Sequence, residues 1–394
     1  MTEREIGSRI SADSPTAPAA TATTVMHVIT GLEAGGAERT LFNVVTANAN
    51  EGAPHQIVVS LMGDGVYGAQ LRAAGVELHC LNLSRGIPTP AALLKLAKLM
   101  RTRKPDVVMT WLYHADLIGT LAAMLAGRGT SRRLIWNIRC SDLDFTRYNR
   151  MTRWVVRLLA LLSRLPAAIA ANSQAGIREH QRLGYRPQVW SYLPNGFDTQ
   201  AWRPDAADRI MIRRELGLSS TTIAVGIVAR VDPQKDYATF LAAAETLAAA
   251  QHDVRFVLIG KDTDRLTVAE RLQPITLKLG HRRDIDVLLR GLDILVLSSA
   301  FGEGFPNAVG EAMASALPCI VTDVGDAGVL VGDTGVVVPP ASPQMLAQAL
   351  ETMLSESREQ RLQRGLAAQA RILANFELKS AIAAYRELWE SVKT

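Results

Sequence analysis

The sequence predicts an α/β protein made of two Rossmann-like doubly wound domains facing across a cleft. Three observations carry this reading. Short apolar runs alternate with longer helical patterns along most of the 394 residues, the signature of parallel sheets covered by helices on both faces. The pattern restarts after Pro204, and both halves open with a strand, a loop and a helix. A chain of this length can also fill two cores of ordinary size.

The first half begins with VMHVIT (25–30), a helix near Ala37–Asn48, QIVVSLM (56–62), a helix near Tyr67–Ala74 and VELHCL (76–81). A helix over Pro90–Arg103, DVVMTW (106–111), a helix near Ala115–Ala126 and RLIWNIR (133–139) follow. Right-handed crossovers make a doubly wound sheet the expected outcome. The second half runs from IAVGIVAR (223–230) through a helix to about Ala250 and VRFVLIG (254–260), then ILVLSS (294–299) and PCIVT (318–322). The expected divisions are a disordered tail at 1–24, a first domain at 25–194, a linker at 195–218 and a second domain at 219–375. A terminal segment, 376–394, carries a helix with no strand after it, expected to pack across the domain boundary.

Composition is that of a soluble globular chain, with 21% charged and 48% hydrophobic residues. Cys80, Cys140 and Cys319 are far apart and in no metal-like spacing, which fits a reducing compartment. The tail, rich in Ala, Ser, Thr and Pro, lacks the apolar stretch of a secretory signal. No run reaches the roughly 18 apolar residues of a membrane span, so a cytoplasmic protein is expected. The net charge of +5 conceals a basic stretch: residues 80–190 hold 18 Lys and Arg against 5 Asp and Glu. An anionic partner is implied: a phosphorylated acceptor, nucleic acid or an acidic membrane face. Few aromatics interleave the basic residues and no recognition motif appears, so no nucleic acid is expected.

The candidate site residues lie at strand ends. Gly35 and Gly36 stand at the turn from the first strand into its helix; paired glycines there either let backbone N–H groups approach a phosphate or serve a tight turn. In the second half, Arg230 and Lys235 follow the opening strand, where ligands sit in open α/β sheets. Two cations suit a diphosphate leaving group; the alternative is a surface ion pair of Arg230 or Lys235 with Asp232 or Asp236. The segment Ser298-Ser-Ala-Phe-Gly-Glu303-Gly-Phe-Pro-Asn-Ala-Val-Gly-Glu311 places one glutamate in a loop and one inside an otherwise small, apolar helix. Glu311 needs donors to offset its burial, and ribose hydroxyls would serve. Hydrolases set two carboxyls roughly 5–9.5 Å apart, whereas eight helical residues span about 12 Å. That favours carboxylates gripping opposite ends of an extended ligand.

This segment resembles the signature of the retaining glycosyltransferases of family four, which have the GT-B fold: two glutamates with seven residues between them, flanked by Glu-Gly-Phe-Pro-Asn and Glu-Ala-Met-Ala. Gly35-Gly36-Ala-Glu38-Arg39, Ala171-Asn-Ser173, Leu193-Pro-Asn195-Gly-Phe-Asp198, Val228-Ala-Arg230 through Lys235, Gly280-His-Arg-Arg-Asp284 and Thr334-Gly-Val-Val-Val-Pro-Pro340 extend the match over roughly residues 25–392. The resemblance implies a nucleotide diphosphate sugar as co-substrate and no cofactor or bound metal. Arg230 and Lys235 would neutralise the diphosphate and Glu311 would hold the ribose. Glu303, with Gly304 and the amides of Phe305, Asn307 and Ala308, would engage sugar and phosphates. His281 and Arg282 would lie near the base, and Gly36 against the diphosphate. Many members carry a first-domain histidine facing the donor sugar. The corresponding stretch, Leu134 to Cys140, has none, leaving Asn137 or Arg139 as substitutes; His114 is read as a half-buried histidine.

Around Tyr148–Leu165 an amphipathic helix is expected, with Arg150, Arg153, Arg157 and Arg164 on one side, Val155, Leu159 and Leu162 opposite, and Trp154 and Leu161 beside the arginines. Peripheral contact with an anionic membrane and a glycan or lipid-linked acceptor follow as expectations; the alternative is a core helix with a solvated basic face. Two other functions share the architecture, a sugar-nucleotide epimerase and a non-catalytic glycan- or nucleotide-binding subunit. The glutamate and cation pairs argue against both.

Overall fold

The computed structural model describes residues 23–33, 35–47, 53–83, 89–141, 150–248 and 253–393. The expected tail up to residue 22, Ala34 in the glycine turn, and the start of the amphipathic stretch at Tyr148 lie outside them.

Two all-parallel sheets form the frame. The first holds β1 (Thr24–Ile29), β2 (His55–Ser60), β3 (Glu77–Cys80), β4 (Val107–Trp111), β5 (Leu134–Ile138), β6 (Ala168–Ala171) and β7 (Trp190–Tyr192), in the order β3-β2-β1-β4-β5-β6-β7. The second holds β8 (Ile223–Val228), β9 (Val254–Ile259), β10 (Thr276–Gly280), β11 (Ile294–Leu297), β12 (Cys319–Thr322) and β13 (Val336–Val338), in the order β10-β9-β8-β11-β12-β13. Both orders reverse beside their first strand, which opens a crevice at the carboxyl ends. The central strands β4 and β5 are buried at every position, as sheets covered on both faces require. β6 and β7 extend the first sheet beyond the five strands read from sequence.

Burial in this core dictates polar pairing. His27 is fully buried; Trp111 Nε1 donates to its Nδ1 at 3.1 Å and its Nε2 meets Gln56 Oε1 at 2.8 Å. These partners fix a neutral tautomer, and burial lowers the pKa to about 4.

Two chain crossings run side by side. Phe197 pairs with Glu377 as a parallel bridge: Phe197 N–H donates to Phe376 O and Leu378 N–H to Phe197 O, both at 2.9 Å. The outgoing stretch is more than a linker, since its helix Ala206–Glu215 packs on the second-domain helix Ile285–Gly291. The returning helix Leu378–Lys393 buries Tyr385, Leu388 and Trp389 in the first-domain core, with Tyr385 stacked on Trp111.

Phe197 also lies directly on the helix Asn307–Ala314, where Gly310 leaves room for its ring. A Cβ at 310 would stand 1.9 Å from the ring. Gly310→Ala is therefore expected to destabilise the protein by about 1–3 kcal/mol, although alanine is the better helix former by about 1 kcal/mol. Gly328→Ala, whose Cβ would make only ordinary contacts from 3.5 Å outward, should be neutral or stabilising. Thermal denaturation of the two variants checks the contrast.

Candidate active site

The second-domain side is assembled from two turns locked together. After β8, Asp232 caps the one-turn 3-10 helix Pro233–Lys235 by accepting from Gln234 N–H at 2.9 Å. After β11, Ser298 Oγ donates to Lys235 O at 2.9 Å, and Ala300 N–H donates to Gln234 O at 2.9 Å. Gly302 turns the chain at φ +75°, bringing Glu303 back over the first turn. There Glu303 Oε1 accepts from Ser299 Oγ at 2.6 Å and pairs with Lys235 Nζ. Arg230 stands further out, half exposed, with Nε 3.2 Å from Asp232 and a weaker contact to Gln234.

The chain then enters the helix Asn307–Ala314 after Pro306, with no side-chain cap. Its first N–H groups, including those of Asn307 and Ala308, have no intrahelical partner, and the positive end of the dipole is aimed at the crevice. The Phe305 ring packs inward against Phe197 and Phe376. Glu311, only 4% exposed, takes its cation from the opposite domain: Arg39 of the helix Gly36–Thr46 lies 2.8 Å away and stacks over Trp202. Burial pushes the Glu311 pKa up to about 7, with Arg39 pulling against it.

The first domain meets this surface closely. A Cβ on Gly36 would reach the Asn307 amide at 3.3 Å, and one on Gly304 would sit 2.9 Å from Asn172 Oδ1. Asn195, fully enclosed, donates to Phe305 O at 3.0 Å and Asn307 Oδ1 at 2.7 Å while accepting from Arg139. Arg139 also bonds Thr40 at 2.8 Å and Tyr385 at 3.3 Å and lies over the Trp111 ring; its Nε has no partner among the described residues. As the domains stand, the gap bounded by Arg39, Trp202, Asn307 and Glu311 offers about 20 Å³, roughly one water.

The structure thus brings together Lys235 with Glu303, Gly36 with Asn307, and Arg139 with the Phe305–Asn307 turn through Asn195. Gly35 packs on Glu38 at the start of its helix. Arg282 is held by Glu215 and Asp284, with contacts of 2.6–3.0 Å, and His281 is exposed with no partner among the described residues. His114 is half-buried, and burial lowers its pKa. Sequence reasoning quoted Arg39, Asn172 and Asn195 within motifs but gave them no contact, and it passed over Asp326, whose carboxylate reaches the first domain.

Residues 34–201 match the family model for Glycosyltransferase Family 4, and residues 222–356 that for Glycosyl transferases group 1. The chain is 28% identical over 275 residues to the UDP-Gal:alpha-D-GlcNAc-diphosphoundecaprenol alpha-1,3-galactosyltransferase of Escherichia coli, covering 66% of this chain and 68% of that one. It is 26% identical to the putative glycosyltransferase EpsF of Bacillus subtilis, over 76% and 79% of the two chains. Among solved structures, Anabaena HepE in complex with UDP superposes with a TM-score of 0.79 at 21% identity, over 94% of this chain and 100% of HepE.

Because the folded state raises the Glu311 pKa from 4.5 to about 7, it holds a proton that the unfolded chain releases between those values. The resulting stabilisation is complete below pH 4.5 and is lost as pH rises through 7, a swing of about 3 kcal/mol. Glu311→Gln removes this titration. Its melting temperature should rise relative to the parent between pH 5 and pH 8; a constant difference across that range would contradict the assignment.

Proposed function

The chain belongs to the glycosyltransferases of group 1 and family 4, with the GT-B fold, and we propose that it is a retaining, metal-independent hexosyltransferase using a nucleoside diphosphate sugar, UDP-linked by preference. The acceptor is a glycan or lipid-linked glycan in bacterial-type polysaccharide, lipopolysaccharide or glycolipid biosynthesis. The observation that carries this reading is the approach of the glycine turn at Gly36 to the uncapped start of the Asn307–Ala314 helix, four residues after the Glu303 that pairs with Lys235. Complexes of HepE with UDP and with UDP-glucose, and the donor and diphosphoundecaprenol acceptor in the name of the E. coli relative, support the substrate class.

In the proposed reaction the acceptor oxygen forms a bond to the anomeric carbon on the face that the diphosphate leaves. The bond from that carbon to the β-phosphate oxygen breaks, and the acceptor proton passes to the departing phosphate oxygen. Lys235, Arg230 and the helix N–H groups stabilise the charge that grows on the diphosphate. Glu303 holds the sugar through hydrogen bonds, and Glu311 exchanges Arg39 for ribose hydroxyls when the cleft opens.

The acceptor side is read from the helix Arg150–Leu162. Val155, Val156 and Leu159 face the core, whereas Met151, Trp154, Leu158, Leu161 and Leu165 form an exposed apolar stripe at three- and four-residue steps, with Trp154 68% and Leu161 81% exposed. Arg150, Arg157 and Arg164 flank the stripe in solvent. Leu121, Met124 and Leu125 of the adjoining helix Tyr113–Ala126 are exposed as well. Apolar anchors bordered by arginines fit an anionic lipid surface. No helix among the described residues is long and apolar enough to cross a membrane, so the proposed contact is peripheral, on the cytoplasmic face.

Two outcomes check these proposals. In a thermal-shift panel of UDP, GDP, ADP and their common sugars, one diphosphate should stabilise strongly. Glu311→Ala should abolish that shift, while Glu303→Ala keeps it and cuts turnover about 100-fold or more; equal loss of both would mean the roles are misassigned. In liposome flotation, the protein should rise with anionic but not neutral vesicles, and Trp154→Glu with Leu161→Glu should leave it at the bottom.

A further inference from the structure

The helix Gln174–Arg182 begins at the end of β6 in the first domain, and helix starts leave N–H groups in need of acceptors. Ser173 satisfies one, accepting from Gly176 at 3.0 Å. Two others are met from the other domain: Gln174 N–H donates to Asp326 Oδ2 at 2.6 Å and Ala175 N–H to Asp326 Oδ1 at 2.9 Å. Asp326 is fully buried. A carboxylate forked over a helix N-terminus makes charge-assisted bonds reinforced by the dipole.

The same residue is fastened to the glutamate loop. Asp326 N–H donates to Gly304 O at 2.9 Å. Gly325 before it turns at φ +63°, where a Cβ would lie 2.0 Å from Glu303 O, so only glycine lets the two loops touch. On its other side Gly304 abuts Asn172, two residues before the capped helix. One short span thus links Glu303 to the first domain.

We infer that Asp326 is a positioning residue for transfer: by capping the opposite domain's helix, it fixes the separation between Glu303 and the acceptor-side strand ends in the closed cleft. This rests on the transferase reading above. When the domains part, carboxylate and amides are both hydrated, so the contact favours closure without being needed for either domain to fold. The Asp326 carboxylate bonds to no group assigned to the donor, so its removal takes no direct contact from the nucleotide.

Two variants test this from opposite sides. Asp326→Asn removes the charge and sets an amide N–H against a backbone N–H. Gln174→Pro deletes one donor without touching the carboxylate; proline is accepted at the first helical position, and Ser173, at φ −144° and ψ 143°, already has the extended form required before it. Calorimetry with UDP, small-angle scattering with and without UDP, and turnover of UDP-glucose or UDP-galactose are compared with the parent. Expected for both variants are a UDP Kd within about threefold, a larger radius of gyration, and kcat lowered about tenfold or more with donor KM little changed. The double variant should be no worse than the weaker single. Unchanged compactness, an equal fall in UDP affinity and kcat, or additive losses would overturn the inference. Failure of the parent to bind any of UDP, GDP or ADP would instead sink the transferase reading itself. Should Asp326→Asn not fold, Gln174→Pro decides alone.

Discussion

Glu311 can be ionised out of water only while a cation from the other domain stays beside it. A carboxylate 4% exposed in a helix of small apolar residues must be paired, hydrogen-bonded or protonated, and here Arg39 crosses the cleft to reach it at 2.8 Å. Cleft geometry and site charge are therefore one variable. Parting the domains hydrates Glu311, closing them returns Arg39 or requires a proton, and whatever displaces Arg39 must bring hydrogen-bond donors of its own.

Glu303 solves the same problem within its domain. Lys235 and Ser299 serve it from the two turns that the second sheet itself brings together, so its environment survives domain motion. Two glutamates eight residues apart are thus wired differently, one to the local fold and the other to closure. The glycines set how near the two halves can come: Gly36 against Asn307, Gly304 against Asn172, Gly325 against Glu303, and Gly310 beneath Phe197. Each clears space where a side chain would hold the domains, or the loops between them, apart.

Elements with strong apolar patterns were legible in the sequence: β1, β4, β5, β8, β9 and β11 are long or uninterrupted enough to announce themselves. β6 and β7 were not, because Ala168-Ile-Ala-Ala171 has little strand character of its own and the three residues of β7 gain theirs by pairing with it. Likewise Glu303, Glu311 and Lys235 could be singled out, since a local segment holds the signal. The partners of Asn195 and Asp326 lie 110 and about 150 residues away in the chain, and no local spacing encodes them. Arg282 shows the converse: a cation in a suggestive motif proves to be occupied by Glu215, 67 residues earlier.

The charge asymmetry can now be located. Of the basic residues between 80 and 190, Lys95, Lys98, Arg101, Arg128, Arg132, Arg150, Arg157, Arg164, Arg178 and Arg182 all point to solvent, while Arg139 enters the cleft. The cations at the strand ends of the second domain come instead from residues 230–235. The first domain's positive charge is spread over its outer helices, beside the apolar stripe of Trp154 and Leu161. Fields of that extent act over about 8–10 Å at physiological salt and orient a whole molecule rather than one ligand. The two domains thus place their cations differently: Arg230 and Lys235 of the second are each matched by a carboxylate at a strand end, whereas most of those named in the first stand in solvent on its outer helices.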